Sequence, residues 1–394
     1  MFFILSTAVL IIFYIYWRAL RPLRCNSLCK GLLCLFLLAM GLKFPLFLMF
    51  FGGLASPDLP DPILLAWGWG HGVVVLYALL LLLRDSFLLL RAGIRTMRSL
   101  LQRDKKEKAL NPFLEAADYA LSLWPSAGFV LACCLSLWGM YEALRVPEVR
   151  TVSIEIPSLP PDLEGFRIVQ LSDIHVGPLL RADWVQEVVL RVNETRPHLI
   201  VLTGDIVDGL PKERAQDIAP LRGLKARYGV WGCPGNHEYY HDFQGWRTTF
   251  PDLGIHILYN EHTVLQVGHR QLVLAGVTDP VAERTGLPMP DVAAALCGAP
   301  ADVPTILLAH RPQIIAQAKA AGVDVQLSGH THAGQLSPMQ ALVALMNDGF
   351  VQGLYTLGTT QLYVSSGTGL WTGFPLRVGT KSAIIELELH AHDV

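Results

Sequence analysis

Five short motifs in the C-terminal part of this chain carry side chains of the kinds that bind metal ions. In chain order they are Asp173-x-His175, Gly204-Asp205, Gly235-Asn236-His237, His310 and Gly329-His330-Thr331-His332. A carboxylate and an imidazole two residues apart, in extended backbone just past a strand, can face the same ion. The set mixes oxygen and nitrogen ligands without a thiolate. That mixture favours Mn, Fe, Zn or Mg over a structural cysteine-rich zinc site.

Taken singly, each motif has an ordinary structural explanation. Gly235-Asn236-His237 could form only a turn, and His310, which precedes Arg311 and Pro312, could simply end a strand. The pair His330 and His332 could lie on a surface loop. All five motifs in this order, each after an apolar run, are too many coincidences for that explanation. The sequence therefore predicts one metal-binding site.

The elements that must position these motifs are short buried strands. Apolar runs that end just before the motifs are Phe166–Leu171, Leu199–Leu202, Val230–Cys233, Thr305–Ala309 and Val323–Leu327. Sheets of α/β proteins place their ligands beyond the C-terminal ends of the strands. Gly204 lets the backbone turn sharply and bring Asp205 close to a charged centre. We expect a soluble α/β domain with the motifs gathered at one end of its sheets.

The ordered set resembles the signature of the calcineurin-like metallophosphoesterase superfamily, which reads D-x-H, G-D, G-N-H, a lone H and G-H-x-H. The residues that flank Asp173, Asp205 and His330 are most similar to the bacterial membrane-associated branch. The resemblance covers about Ile168 to Leu389 and does not reach the N-terminal apolar runs. It implies a four-layer α/β/β/α sandwich with the site at one end of the sheets.

The resemblance also implies a role for each motif residue. The cofactors would be two divalent metal ions (Mn, Fe, Zn or Mg), with a hydroxide between them that attacks phosphorus. The ligands of the first ion would be Asp173, His175, Asp205 and His332. Asp205 would bridge to the second ion, whose other ligands would be Asn236, His310 and His330. The catalytic residue would be His237, which acts on the substrate phosphoryl group as a general acid or charge stabiliser.

Four further features bear on this site. Asp208, shortly after the bridging ligand, either orients a ligand histidine or caps the following turn. Ala333 stands where related proteins usually have a glycine, and the segment Val364–Trp371 lacks an arginine that is common there. These departures concern substrate contacts more than the metal chemistry. His241, close behind the third motif, is a candidate pocket residue.

The composition indicates that much of the chain lies in lipid. Hydrophobic residues make up 52% of the sequence and charged residues only 16%, against about 25% charged in soluble domains. The net charge of −2 gives no argument for nucleic-acid binding, so we expect no nucleic-acid partner. Five of the seven cysteines lie in or beside apolar segments, which argues against a disulfide framework.

Four apolar runs near the length of a bilayer span occupy the first part of the chain. They are Phe2–Trp17, Gly31–Leu54, Ile63–Leu83 and Tyr119–Met140. The first run could be a signal peptide, but no charged region precedes it and no small-residue cleavage site follows. We therefore expect four uncleaved spans.

The loops between the runs predict an orientation. Basic residues follow the first run (Arg18, Arg21, Arg24, Lys30) and the third run (Arg91, Arg95, Arg98, Arg103, Lys105, Lys106, Lys108), whereas the loop 56–62 has none. Basic loops stay in the cytoplasm. This rule places the N-terminus and everything after Met140 outside. We expect a multi-pass protein of the cell (inner) membrane with an extracytoplasmic catalytic domain.

These observations predict a transmembrane region at 1–145, a linker at 146–165 and a metallophosphoesterase domain at 166–394. The expected function is metal-dependent hydrolysis of a phosphomonoester, phosphodiester or pyrophosphate bond. The bilayer is an expected partner, and a lipid-linked substrate is one candidate because the spans hold the site near lipid. The oligomeric state has no signal in the sequence.

Two alternatives stay open. One is a catalytically inactive metal-binding domain of a membrane sensor or scaffold, which degenerate ligands would have favoured. The other concerns apolar residues near the motif ends, which form either a rim that meets acyl chains or ordinary core. They are Tyr239, Tyr240, Phe243, Trp246, Leu370, Trp371 and Phe374.

Overall fold

The structure, a computed structural model, describes residues 2–52, 57–101, 112–157 and 159–391. The chain divides into two units, Met1–Met140 and Tyr141–Val394. The helices of the N-terminal part are α1 (Phe2–Ile15), α2 (Ser27–Gly41), α3 (Lys43–Phe51), α4 (Asp61–Leu101) and α5 (Pro112–Leu144). A π-helical turn, Tyr16–Leu20, extends α1.

Three helical stretches among the described residues are long and apolar enough to cross a membrane. They are Phe2–Leu20, Asp61–Met97 and Leu123–Leu144. The pair α2 and α3, bent by 57°, makes a fourth if it counts as one span. These three or four candidate spans confirm the predicted all-α apolar region.

The second predicted span differs because its helix is broken at Leu42. Pro45, inside α3, has no N–H to donate to the carbonyl of Gly41, and its ring crowds that carbonyl. The helix therefore ends at Gly41 and restarts at Lys43 in a new direction.

The third predicted span is longer than the sequence indicated. Because α4 continues to Leu101, the backbone at Arg91, Arg95 and Arg98 is helical rather than in a loop. The remaining basic residues assigned to that loop, Arg103, Lys105, Lys106 and Lys108, lie outside the described residues, as do residues 53–56.

Polar side chains connect the apolar helices to one another. The guanidinium Nε of Arg18 donates to the Asp85 carboxylate at 2.6 Å, and the Tyr14 hydroxyl donates to the same oxygen at 2.9 Å. His71 Nδ1 lies 2.8 Å from the Met40 carbonyl oxygen. Hydrogen bonds of this kind hold helices together in an apolar medium, where a polar group without a partner is costly.

The second unit contains two sheets. Its strands are β1 (Val149–Ile156), β2 (Phe166–Leu171), β3 (Leu199–Thr203), β4 (Val230–Cys233), β5 (Ile255–Ile257), β6 (Glu261–Val267), β7 (Arg270–Gly276), β8 (Thr305–Leu308), β9 (Val325–Ser328), β10 (Gly353–Leu357), β11 (Thr360–Val364) and β12 (Ile384–Ala391). One six-stranded sheet has the order β1-β12-β2-β3-β4-β5 and the other β10-β11-β9-β8-β7-β6.

Helices cover the outer face of each sheet. They are α6 (Ala182–Glu194), α7 (Pro211–Ile218) and α9 (Phe243–Asp252) on the first sheet, and α10 (Val292–Ala295) and α11 (Ile315–Ala320) on the second. Two further short helices are α8 (Asn236–His241) and α12 (Gln340–Met346), and α12 has no buried residue. Side chains alternate along a strand. On β2, Ile168 thus packs between the two sheets, and Val169 packs against α6 and α9. A third apolar cluster joins the second sheet to α10 and α11. The predicted α/β/β/α sandwich is confirmed.

The segment 146–165, which the sequence assigns to a linker, contains β1. This strand pairs in parallel with β12 at the edge of the first sheet. Only Ile154 and Ile156 of its side chains are buried. The apolar signal of such an edge strand is weak, which explains why the sequence analysis missed it. Only residues 145–148 separate the end of α5 from β1.

Candidate metal centre

The parallel strands bring the five motifs to one end of the sandwich. Asp173 and Asp205 follow neighbouring strands of the first sheet, and His310 and His330 follow neighbouring strands of the second. The backbone N–H of Asp173 donates to the Gly204 carbonyl at 3.0 Å, which joins the first two motifs. His330 N–H donates to the Asp173 carboxylate at 3.0 Å, which joins the two sheets across the site.

The predicted ligands form two adjacent groups. One contains Asp173, His175 and His332, and the other contains Asp205, His310 and His330; within each, one potential ligand atom per residue lies within 4.8 Å of the others. Asp205 Oδ2 is 3.2 Å from His310 Nε2 and 3.8 Å from His175 Nε2. This one oxygen therefore lies between the groups, as a shared ligand must.

Hydrogen bonds fix which nitrogen each histidine turns toward the site. His310 Nδ1 is 2.8 Å from the Thr203 carbonyl oxygen, which can only accept, so Nδ1 carries the proton. His175 Nδ1 likewise faces the Asp208 carboxylate at 3.2 Å. When such a ring is neutral, its Nε2 keeps a lone pair for a cation. His175 Nε2 lies 3.2 Å from His332 Nε2, so two donor nitrogens converge on one point.

The partners of the buried ligand atoms show whether metal ions fit this site. Among the described residues, Asn236 Oδ1 is buried and has no hydrogen-bond partner, and the buried His310 Nε2 faces the Asp205 carboxylate at 3.2 Å. A buried polar atom without a partner is costly unless something binds it. Because both atoms belong to the second group of predicted ligands, a cation fits there. A metal ion would therefore satisfy Asn236 Oδ1, which the protein leaves unpaired, and would replace a proton between His310 and Asp205.

Asp208 orients two histidines. Its Oδ1 accepts from His175 Nδ1 at 3.2 Å and lies 2.6 Å from His237 Nδ1. This favours the orienting role over the capping role that the sequence left open, because the carboxylate bonds to imidazoles and not to a turn. Carboxylates commonly fix the tautomer and direction of ligand histidines in this way.

The surroundings of the site raise the pKa of two of its histidines and lower the pKa of a third. Burial lowers the pKa of His237, but the carboxylates of Asp205 and Asp208 outweigh burial and raise this pKa to about 9. Burial likewise lowers the pKa of His310, yet Asp205 raises it to about 10. Burial and then His310 hold the pKa of His330 well below its ordinary value. His330 is thus neutral and ready to bind a cation, whereas His310 must first lose a proton.

The ligand-bearing loops have a strained backbone. Positive φ angles near 50° occur at Asp173, His175, Asp205 and His332, and φ is 70° at His330. Residues with a Cβ seldom adopt this conformation, which costs of order 1–2 kcal/mol each. Strain repeated at five predicted ligands indicates that their side chains are aimed at a common point by the surrounding structure.

Two glycines permit the close approach of these loops. Gly204 has φ of +81°, and a Cβ there would lie 2.6 Å from His310 Nδ1. A Cβ on Gly235 would lie 2.2 Å from Asp205 Oδ1. Any larger residue at either position would therefore push two motifs apart.

Glu238 is a site residue that the sequence analysis missed. Its buried carboxylate accepts the backbone N–H groups of Asp205 at 3.1 Å, Ile206 at 2.8 Å and Gly235 at 2.7 Å. One side chain thereby fixes the second and third motifs together. Its place directly after Gly235-Asn236-His237, at the start of a helix, was the available signal, because a carboxylate there readily binds free N–H groups.

The two departures from the related proteins have structural counterparts. Ala333 has φ of 54°, a conformation that favours glycine, which explains why glycine is usual at this position. The buried guanidinium of Arg377 donates to the carbonyls of His332 at 3.1 Å, Ser366 at 2.7 Å and Gly369 at 3.0 Å. Arg377 thus braces the segment that lacks the expected arginine.

The remaining candidates fall partly inside the core. Trp246 and Leu370 are fully buried and belong to the core, whereas Tyr240 is 53% exposed. The Tyr240 ring centroid lies 5.3 Å from that of His237, so this side chain borders the site. His241 Nε2 lies 3.9 Å from Asp208 Oδ1, which places His241 beside the site as well.

Comparison with known proteins finds a matching family model and several relatives. Residues 166–334 match the family model described as calcineurin-like phosphoesterase. The chain is 38% identical to a "Transmembrane protein with metallophosphoesterase domain" of Danio rerio, over 66% of this chain and 61% of that protein. It is 38% identical to an "Uncharacterized metallophosphoesterase" of Helicobacter pylori, over 70% of this chain and 73% of the relative.

A third relative, an uncharacterized metallophosphoesterase of Bacillus subtilis, is 32% identical over 65% of this chain and 92% of its own length. The chain spans less than two thirds of the Danio rerio relative. The apolar helices and the membrane-protein relative together mark a membrane protein. This chain belongs to the calcineurin-like metallophosphoesterase family.

Proposed function

We propose that this chain hydrolyses phosphoester bonds with the help of two divalent cations. The first cation would be held by Asp173, His175, Asp205 and His332. The second would be held by Asp205, Asn236, His310 and His330. The observation that carries the proposal is the pair of adjacent ligand groups that share Asp205 Oδ2.

Two bound divalent cations supply Lewis acidity, which activates water and neutralises the charge that grows on phosphoryl oxygens. The chain's own residues position these charges and handle the proton. Asp208 holds His237 by its Nδ1, which leaves Nε2 directed away from that carboxylate. His237, whose Nδ1 faces Asp208, would donate a proton from Nε2 to the departing oxygen.

The substrate class and the cellular location are also proposals. The bond is a phosphomonoester, phosphodiester or pyrophosphate, and a lipid-linked molecule is one candidate substrate because the same chain carries the candidate spans. We propose that the chain is a multi-pass cell-membrane protein whose catalytic unit lies on the extracytoplasmic face, because basic residues are concentrated in alternate loops and basic loops stay in the cytoplasm. An inactive metal-binding domain would hold cations as well, and only hydrolysis separates it from an enzyme.

Substitution of the shared ligand tests the proposal. The purified full chain with Mn²⁺ should hydrolyse a chromogenic phosphodiester, and a chelator should abolish this activity. Asp205→Asn should lower kcat/KM by a factor of ~10³ or more, because the variant loses charge between both cations. The exposed Asp252→Asn is the matched control and should keep full activity. Equal activity of the wild type and Asp205→Asn would contradict the mechanism.

The leaving group tests the role of His237. Nitrophenolate departs without protonation, whereas an alkoxide needs a proton. His237→Ala should therefore slow hydrolysis of an alkyl phosphodiester by ~10²–10⁴-fold and slow that of a nitrophenyl ester much less. Kinetics with the two esters at matched metal content would measure this. An equal loss for both esters would assign His237 to charge stabilisation instead.

Metal binding should release protons. Because the pKa of His310 is about 10 without cations, its Nε2 must lose a proton before it can bind one, and affinity should fall as pH falls. Titration calorimetry with Mn²⁺ in two buffers of different ionisation enthalpy should show release of about one proton per chain near pH 7.5. Heats that are independent of the buffer would contradict this prediction.

A reporter fusion tests the orientation. A fluorescent protein that matures only in the cytoplasm should give no signal when fused after Val394, whereas an alkaline phosphatase fused there should be active. The same two reporters fused into the loop after the first span serve as the control and should behave in the opposite way. Cytoplasmic fluorescence from the C-terminal fusion would overturn the proposed location.

A further inference from the structure

One helical segment of the second unit exposes its apolar side chains. The segment Ser337–Met346, a 3-10 turn followed by α12, contains no buried residue. Leu342, Leu345 and Met346 are exposed by 47%, 82% and 70%. No charged residue occurs between Leu336 and Asn347. By contrast, α6 buries four valines against its sheet and turns charged residues outward. We call Ser337–Met346 the apolar helix.

The apolar helix is attached to the metal centre at both ends. It begins just after the ligand His332, and the Gln340 side chain donates to the Ala333 carbonyl at 3.2 Å. The chain then returns to the same motif, where the Thr331 hydroxyl donates to the Val351 carbonyl at 2.5 Å. The exposed apolar side chains therefore border the metal-binding end of the sandwich.

The chain also enters the catalytic unit at this end. The Ile384 N–H donates to the Glu148 carbonyl at 3.1 Å, just before β1. Next to Ile384, the Ala383 N–H donates to the Gly367 carbonyl at 3.0 Å. The adjoining Thr368 N–H donates to the Ser172 carbonyl at 2.7 Å, one residue before the first predicted metal ligand. A short series of hydrogen bonds thus joins the start of β1 to the metal centre.

The length of the connection limits how far this end can lie from lipid. The candidate span Leu123–Leu144 is followed by only four residues, 145–148, before β1 begins. Four fully extended residues reach at most about 14 Å. At most about 14 Å of chain therefore separates the metal-binding end of the unit from the end of the candidate span.

We propose that the apolar helix inserts into the interface of the phospholipid bilayer, with Leu342, Leu345 and Met346 among the acyl chains. Apolar side chains that a surface helix exposes to water are buried when that helix lies in the interfacial plane of a bilayer. An exposed apolar patch of this kind marks an interaction surface. The bilayer is the occupant because the same chain carries the candidate spans, and because the short connection from the last of them enters the unit at the end that carries the patch. The metal centre then opens at the lipid surface, where it meets the headgroups of membrane-embedded molecules.

Depth measurement on the full chain tests this inference without any need for catalysis. An environment-sensitive fluorophore would be attached to Leu345→Cys, in a full-length background without the native cysteines, reconstituted in phosphatidylcholine–phosphatidylglycerol vesicles. We expect strong quenching by lipids with a nitroxide on the acyl chain and a several-fold smaller iodide quenching constant than for the free dye. The matched control is His269→Cys, in the exposed turn before β7 and thus at the opposite end of that strand from the metal centre. The control should show strong iodide quenching and no lipid quenching.

Each other outcome overturns the inference. If the fluorophore at 345 is as open to iodide as the one at 269, the apolar helix lies in water. If it is shielded from iodide but not quenched by nitroxide lipids, a protein surface or a second copy covers the helix. Circular dichroism and melting temperature of both labelled chains should match the wild type, so that misfolding is not mistaken for either result. Failure of the proposed hydrolysis would leave the depth result unchanged, which separates the two proposals.

Discussion

The site depends on the way the Glu238 carboxylate holds two loops together. Its oxygens accept N–H groups from the Asp205 loop and from Gly235, while Asp205 itself accepts the N–H of His237 at 2.8 Å. The second and third motifs thereby form one unit with little freedom. Without that carboxylate, buried N–H groups would lack partners, at a cost of ~1–3 kcal/mol for each group.

This constraint explains how the strained backbone at the ligands is tolerated. The sheets bring the motif ends together, and hydrogen bonds between the loops then hold Asp173, His175 and Asp205 at positive φ. A cation bound by these residues would meet ligands that are already in place. The energy stored in the loops is offset by the large core between the two sheets.

Much of this arrangement could be predicted from the sequence. Strands β2, β3 and β4 are runs of buried residues with strong apolar patterns, and the motifs after them contain the residue types that metal chemistry requires. Strand β1 could not be found in this way, because the edge position leaves most of its side chains in solvent. The break at Leu42 was also missed, although Pro45 signalled it, since the run is apolar throughout. Residues such as Glu238 and Arg377 act through backbone groups that are distant in sequence, so their partners become visible only in the fold.

In the proposed site, two cations share one carboxylate, that of Asp205. Metal analysis of the full chain, loaded with Mn²⁺ and freed of excess by gel filtration, tests this most directly. The wild type should retain two equivalents per chain, and Asp205→Asn should lose most of both, because Asp205 Oδ2 lies between the two ligand groups. A wild type with a single equivalent, or a variant that still holds two, would contradict the shared site.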